Sequence, residues 1–296
     1  MDIIITGATG FVGRNLSKYL KELGNHVLPL SLRNSWVLNK NTDAIVHLAG
    51  KAHDTKNTSA DKEYFEVNTE LTKKLFQEFL NSEIKDFIYF SSVKATADSV
   101  EGYLDENHIS NPETPYGKSK LEAEQFLLNQ KLPENKRLFI IRPCMIHGPG
   151  NKGNLNLLYK FVEKGIPYPL AAFENKRSFL SIDNLNFLVF EILKNQNIGS
   201  GIYNFSDDEV LSTTELVKLI AKVSGKKEKL WKIPSTLISS VAKVGDVIKL
   251  PLNSERLKKL TENYLVSNQK IKLNLGIQKL PVSAQEGLEI TIKSFK

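Results

Sequence analysis

The chain has 296 residues, 41% of them hydrophobic, enough for one large or two interleaved domains around a real core. Its formal charge of +7 comes from dispersed lysines, with no basic block or aromatic RNA-binding signature, so a nucleic-acid partner is not expected. No apolar run approaches the ~20 residues that span a bilayer, and the single Cys144 excludes an internal disulfide framework.

In chain order, Asp2–Thr6 is a short apolar run ending at glycine, as a buried parallel strand should be. The opening Met1-Asp2-Ile3-Ile4-Ile5 lacks a basic leader region and reads as a strand rather than a signal peptide. With one cysteine, it points to the reducing cytoplasm, with no membrane insertion. Phe11–Leu23 has helical spacing and ends at Gly24, a plausible C-cap. His26–Leu30, Ala44–Leu48, Phe87–Ser91 and Leu138–Arg142 read as further strands, with helical periods over Glu63–Leu80 and Gly117–Asn129.

This β-α-β order predicts an α/β fold: a Rossmann-like, doubly wound parallel sheet with helices on both faces. The texture changes near Gly150, with Gly-Pro-Gly and Gly165-Ile166-Pro167-Tyr168-Pro169. Residues 1–150 are therefore expected to form a dinucleotide-binding domain and 151–296 a smaller C-terminal substrate lobe. The Ile202–Phe205 strand is expected to return to the main sheet. Leu230–Leu250 is amphipathic and carries Trp231; packing on the substrate lobe is favoured there over a membrane-surface role.

Two motifs carry chemistry. Thr6-Gly7-Ala8-Thr9-Gly10-Phe11-Val12-Gly13 follows a strand and opens a helix. Such a turn presents free backbone N–H groups and the positive end of a helix dipole to a pyrophosphate. Pro115-Tyr116-Gly117-Lys118-Ser119-Lys120 sets a phenol and an ammonium four residues apart, on one helix face. A free tyrosine is a poor base at neutral pH, and a neighbouring ammonium is expected to lower its pKa. Phe87-Ile88-Tyr89-Phe90-Ser91-Ser92 ends a strand with two hydroxyls at the sheet edge where ligands bind. The five histidines have no ligand spacing, so no metal site is expected.

With Asp43–Gly50, Val67-Asn68-Thr69, Arg142-Pro143, Gly153-Asn154-Leu155 and Arg177–Leu185, these segments make the chain resemble the extended short-chain dehydrogenase/reductases. Within them it is similar to the NAD(P)-dependent nucleotide-sugar epimerase/dehydratase family. The resemblance covers nearly the whole chain and implies a UDP-sugar substrate in surface-polysaccharide precursor synthesis. It implies Tyr116 as acid/base, Lys120 on the nicotinamide ribose and Ser92 on the reacting oxygen. Gly7, Gly10, Phe11, Val12, Gly13, Leu48, Ala49, Gly50, Lys51 and Asn68 would line the cofactor. Ser91, Asn154, Leu155 and Arg177 would meet the substrate, the arginine on its diphosphate. A homodimer through the Glu63–Leu80 and Gly117–Asn129 helices is implied as well.

The reaction is narrowed by departures from the pattern. A 4,6-dehydratase of this family would carry Thr-Asp-Glu where Ser92-Val93-Lys94 stands, so elimination lacks its acid and base. Where an NAD enzyme places an acid on the adenosine ribose, this chain has Ser31-Leu32-Arg33, with Arg14 nearby, which leans towards NADP over NAD. An exchangeable NADPH puts a 4-ketoreductase, as in the UDP-N-acetylquinovosamine 4-reductases, slightly ahead of a 4-epimerase. A non-catalytic NADP-sensing protein is the outside alternative, set against an intact Ser92, Tyr116 and Lys120. The 31–42 connection is short, so a strand and helix near the adenine are expected to be missing. His147 stands where relatives have a tyrosine, so the substrate contact implied at that position is not carried over to it.

Overall fold

The computed structural model describes residues 1–51, 61–151, 153–248 and 253–296. Strand β1 (Asp2–Thr6) enters α1 (Phe11–Glu22) through the glycine turn, and β2 (His26–Leu30) and β3 (Ala44–His47) follow. Helix α2 (Asp61–Tyr64), a π-helical turn over Phe65–Glu70 and α3 (Leu71–Leu80) lead to β4 (Asp86–Phe90). Then come β5 (Tyr103–Leu104), α4 (Pro115–Leu128), β6 (Arg137–Pro143), β7 (Met145–His147), α5 (Asn154–Glu163), β8 (Arg177–Ser181), α6 (Ile182–Lys194) and β9 (Gly201–Phe205). The chain closes with β10 (Val210–Leu211), α7 (Thr213–Ser224), α8 (Ser235–Ile248), α9 (Ser254–Thr261), β11 (Leu265–Val266), α10 (Gln269–Leu275) and α11 (Ala284–Lys293).

The main sheet is Rossmann-like, ordered β2-β1-β3-β4-β6-β9, and each neighbouring pair is parallel. Because side chains alternate along a strand, each strand feeds two cores. Ile3 and Ile5 join Leu16, Leu20, Leu185 and Leu188 on the α1/α6 face. Ile4 joins Leu75, Phe76, Phe79 and Leu127 on the α3/α4 face. A third core, with Tyr159, Phe179, Leu216, Ile220 and Leu288, sits between α5, α7 and α11.

Strand β9 does return to the main sheet beside β6, so the C-terminal half is threaded through the N-terminal architecture. The 31–42 connection contains no strand or helix, leaving β2 at the sheet edge with Leu32 and Leu38 tucked beneath. Helix α4 starts two residues before the expected Gly117, because Thr114 caps it by accepting from the Gly117 N–H and Pro115 suits the first turn. The single helix expected over Glu63–Leu80 is interrupted by its π-helical turn. The amphipathic stretch becomes α8, preceded by bridge pairings at Leu230 and Lys232; Lys249 and Leu250 lie outside the described residues.

Candidate active site

The glycine turn sits where the strand order reverses, between the ends of β1 and β3. Gly7 has φ +67, and a Cβ there would lie 2.8 Å from the Ala49 nitrogen. A Cβ on Gly13 would lie 2.3 Å from the Gly7 carbonyl oxygen, so the helix can press onto the turn only with glycine there. Gly10 caps α1 without a side chain, and the helix's first turn carries no acidic residue. Its amides and positive dipole end are therefore left for an anion. Phe11 and Val12 begin the helix half-buried, and Arg14 Nη1 braces the turn by donating to the Thr9 carbonyl at 2.6 Å.

The loop after β3 closes the other side. Thr6 Oγ1 accepts from the Ala49 N–H at 3.0 Å and shares a 2.7 Å hydrogen bond with His47 Nδ1. His47 Nε2 meets Thr72 Oγ1 at 2.9 Å, and burial drives the imidazole pKa down to about 3, helped by the Lys120 charge. A neutral histidine thus ties β1, β3 and α3 together beneath the turn. Asn68, in the π-helical turn, accepts from the Lys51 N–H at 2.7 Å and donates to the Lys51 carbonyl and to Ser119 Oγ. It clamps Lys51 to α4, the kind of local service for which π-turns recur at functional sites. A Cβ on Gly50 would come within 3.0 Å of Asn68 Oδ1 and 3.3 Å of Lys120 Nζ. These close approaches make a cradle shaped for a dinucleotide.

Ser92, Tyr116 and Lys120 converge at the end of β4. Ser92 caps the short 3-10 turn Val93–Ala95, and its hydroxyl shares a hydrogen bond with the Tyr116 phenol. Tyr64 packs edge-on against the Tyr116 ring at 6.1 Å, and the Lys51 ammonium lies 5.7 Å from the Tyr64 ring centre while pairing with Glu63. The expected electrostatic tuning takes a different form. Burial raises the Tyr116 pKa, and the Ser92 hydrogen bond opposes that rise. Lys120 spends its Nζ on the Phe90 carbonyl at 2.8 Å, over the Tyr89 ring, and burial lowers its pKa to about 8 against the pull of Glu124. The phenol is therefore held protonated, and its strongest local partner is a hydroxyl rather than the ammonium.

Ser91 also differs from expectation. Its side chain turns under the site and donates to Glu124, which forms a fully buried ion pair with Arg142. Adjacent residues at a strand end face opposite ways, so Ser92 meets Tyr116 and Ser91 meets the support. Glu124 lies one helical turn beyond Lys120, a spacing that could have singled it out in the sequence. Lys94, where an elimination site would carry its glutamate, sets its Nζ on the Asp98 carbonyl at 2.8 Å and 4.3 Å from the Tyr264 ring centre.

Asn154, Leu155 and Arg177, far apart in sequence, line one cavity of about 530 Å³ with Tyr168, Pro169, Leu170, Thr213 and Leu260. Asn154 opens α5, so that helix's N-terminus also faces the cavity. Arg177 is half-buried, and burial lowers its pKa against the pull of Glu262 and Tyr168. Tyr264 joins this cavity to the loop that follows Ser92: its phenol donates to the Ala97 carbonyl at 2.7 Å, and its backbone pairs with Lys176 and Ser178 on either side of Arg177. Nothing in the sequence pattern marked Tyr264 or Tyr168. His147 is buried, sharing a 2.9 Å hydrogen bond with Thr291 Oγ1 and lying 3.6 Å from Asp207, so it fastens β7 to α11. Ser31 and Arg33 stand exposed beyond the end of β2.

The chain is similar to known proteins along nearly its whole length. Over 99% of its length and 95% of the relative, the chain is 32% identical to a UDP-glucose 4-epimerase of Vibrio cholerae. It is 27% identical, over 99% of its length and 94% of the relative, to an N-acetyl-alpha-D-glucosaminyl-diphospho-ditrans,octacis-undecaprenol 4-epimerase of Escherichia coli O157:H7. The crystal structure of UDP-N-acetylglucosamine 4-epimerase from Bacillus cereus shares the fold with a TM-score of 0.77, at 21% identity, over the whole of this chain and 98% of that one. Residues 3–205 match the model of the NAD dependent epimerase/dehydratase family, and the chain belongs to that family.

Proposed function

We propose that the chain is a 4-epimerase of a UDP-linked hexose or N-acetylhexosamine, oxidising C4 and reducing it again from the other face. The observation that carries this reading is the Ser92–Tyr116 hydroxyl pair backed by Lys120, with Val93 and an engaged Lys94 in place of an elimination acid and base. Ser92 would hold the C4 oxygen, and Tyr116, once the positive charge of a bound oxidised nicotinamide and of Lys120 had favoured its phenolate over the phenol held here, would take that oxygen's proton and return it. A nicotinamide dinucleotide on the Gly7–Gly13 turn and the Leu48–Lys51 loop would accept and return the hydride. Lys120 would orient the nicotinamide ribose, and Arg177 with the α5 N-terminus would neutralise the diphosphate. Residues 1–150 would thus hold the dinucleotide and 151–296 the sugar nucleotide. The setting is the cytoplasm, in the supply of surface-polysaccharide precursors, with a homodimer formed through α3 and α4.

The relatives named above are 4-epimerases, and the two matched by sequence do so nearly end to end, which moves the balance from the reductase towards the epimerase. The second reading is a 4-keto-6-deoxy-N-acetylhexosamine reductase using NADPH, supported by Ser31 and Arg33 exposed beside the adenine edge of the sheet. One experiment separates them. Epimerisation predicts that UDP-galactose gives UDP-glucose with no net cofactor consumed, and that protein purified without added cofactor retains NAD. Stoichiometric NADPH oxidation by UDP-4-keto-6-deoxy-N-acetylglucosamine would establish the reductase instead. Inertness to both substrates would sink both readings.

A further inference from the structure

Helix α8 carries more apolar surface than the core can use. Ile238 and Ala242, one turn apart, are buried in the lobe. Leu237, Val241 and Val244 form a separate stripe at helical spacing and are 57%, 46% and 54% exposed. Trp231, just upstream, is 56% exposed. The charge nearby is mostly positive: residues 225–248 contain Lys226, Lys227, Lys229 and Lys232 ahead of the helix and Lys243 on it, against Glu228 and Asp246, and all seven are exposed. An apolar helical stripe preceded by a tryptophan and a net-basic segment is a combination suited to a bilayer interface.

The stripe is also fastened to the cavity wall. The Trp231 N–H donates to the Tyr168 carbonyl at 2.9 Å, and the Tyr168 N–H donates to the Lys229 carbonyl at 2.8 Å. Tyr168, Pro169 and Leu170 line the cavity, as does Leu260 of α9, on which α8 packs. Leu157 and Leu260 add exposed apolar surface to the same lining.

We infer that Trp231 and the Leu237/Val241/Val244 face of α8 dock on an anionic lipid surface and hold the substrate cavity beside it. Charge complementarity selects this occupant: lysines gain from an anionic leaflet, whereas a second copy seated symmetrically on this face would bring lysine against lysine. The inference stands apart from the choice of epimerase or reductase, since it concerns where the protein sits and not which bond it changes.

The test is co-sedimentation of the full chain with phosphatidylglycerol vesicles and with phosphatidylcholine vesicles, at low and physiological salt. Binding to the anionic vesicles that weakens with salt is expected. The double variant Leu237→Glu/Val241→Glu should lose that binding by about tenfold or more while its turnover of soluble UDP-sugar is unchanged. Lys226→Glu/Lys227→Glu, which leaves the stripe and the fold alone, should weaken it as well. Wild-type protein staying in the supernatant with anionic vesicles overturns the inference, as does equal vesicle binding by both variants. A wild-type dimer in analytical ultracentrifugation that Leu237→Glu/Val241→Glu splits, without vesicle binding, would assign the face to a second copy instead.

Discussion

On the proposed function, the glycine-turn half and the cavity of the C-terminal lobe would bind by opposite means. In the first, the ligand-facing groups come from short segments at the ends of adjacent parallel strands. Glycines let backbone touch backbone there, at distances no side chain would permit. In the second, the cavity is assembled from α5, the 168–170 segment, β8, α7 and α9, and its walls are mostly aliphatic and aromatic side chains. A site made of backbone contacts tolerates almost no change of residue type. A site made of side-chain walls can exchange substrates by repacking, which is consistent with one family holding several reactions on one frame.

Substitutions in the first half should therefore be severe and those in the lobe graded. The largest effect is expected at Tyr116. Tyr116→Phe removes the hydroxyl proposed to transfer the proton and should cut kcat by about 10²–10⁴ while nucleotide binding by calorimetry stays near normal. Near-normal kcat would remove Tyr116 from that role. Glu124→Gln leaves Arg142 charged and unpaired in the interior, at a cost of about 3–5 kcal/mol in denaturant unfolding. It also removes the carboxylate that supports the Lys120 ammonium. Activity that needs this ammonium should fall as pH rises through about 8 in the wild type, and at lower pH in Glu124→Gln. The stability sign is separate. A depressed lysine pKa means the unfolded chain binds the extra proton above about pH 8, so the Lys120 contribution to stability rises with pH from there towards the ordinary lysine value.

Gly13→Ala ranks next. Its Cβ would meet the Gly7 oxygen and the Ala8 backbone, so helix and turn must part, costing about 1–3 kcal/mol in thermal or chemical unfolding and weakening dinucleotide binding. In the lobe, Arg177→Ala should raise KM about tenfold with kcat little changed, the loss of a charge-assisted contact to the diphosphate. A Gly13→Ala protein as stable and as tightly binding as wild type would dissolve the contrast between the two halves.

What the sequence disclosed follows the same divide. The glycine spacing, the alternating strands and the Tyr116–Lys120 pair are local patterns, and a pattern within one turn or strand survives without knowledge of the fold. The β9 return was legible too, because a short apolar run between glycine and polar residues has few other uses. Tyr264 and Tyr168 were not legible, since each acts through contacts with segments far away in the chain and neither belongs to a periodic pattern. Ser91 was misplaced because two adjacent serines look alike in sequence, while the pleat sends them to opposite sides. The direction of the Tyr116 shift was misjudged for a related reason. Spacing brings Lys120 to the same helix face, but folding buries the phenol, which raises its pKa, and supplies the Phe90 carbonyl that engages the ammonium.

The smallest effect is expected at Arg33, whose exposed side chain stands apart from the close backbone contacts of the glycine turn. Arg33 is exposed on the coil that follows edge strand β2, where the short 31–42 connection supplies no further strand or helix to bury it. An exposed guanidinium near a 2′-phosphate is screened by salt and is worth about 0.2–1 kcal/mol, a few-fold in affinity at most. Arg33→Ala should therefore lower affinity for NADPH by a few-fold in fluorescence titration, leave NADH unchanged, and show the difference fading at high salt. An equal loss for both cofactors would mean that Arg33 supports the coil and not the phosphate. No loss for either would mean that this edge of the sheet does not read the ribose, and cofactor choice would then rest on the turn, where Arg14 is already committed to the Thr9 carbonyl.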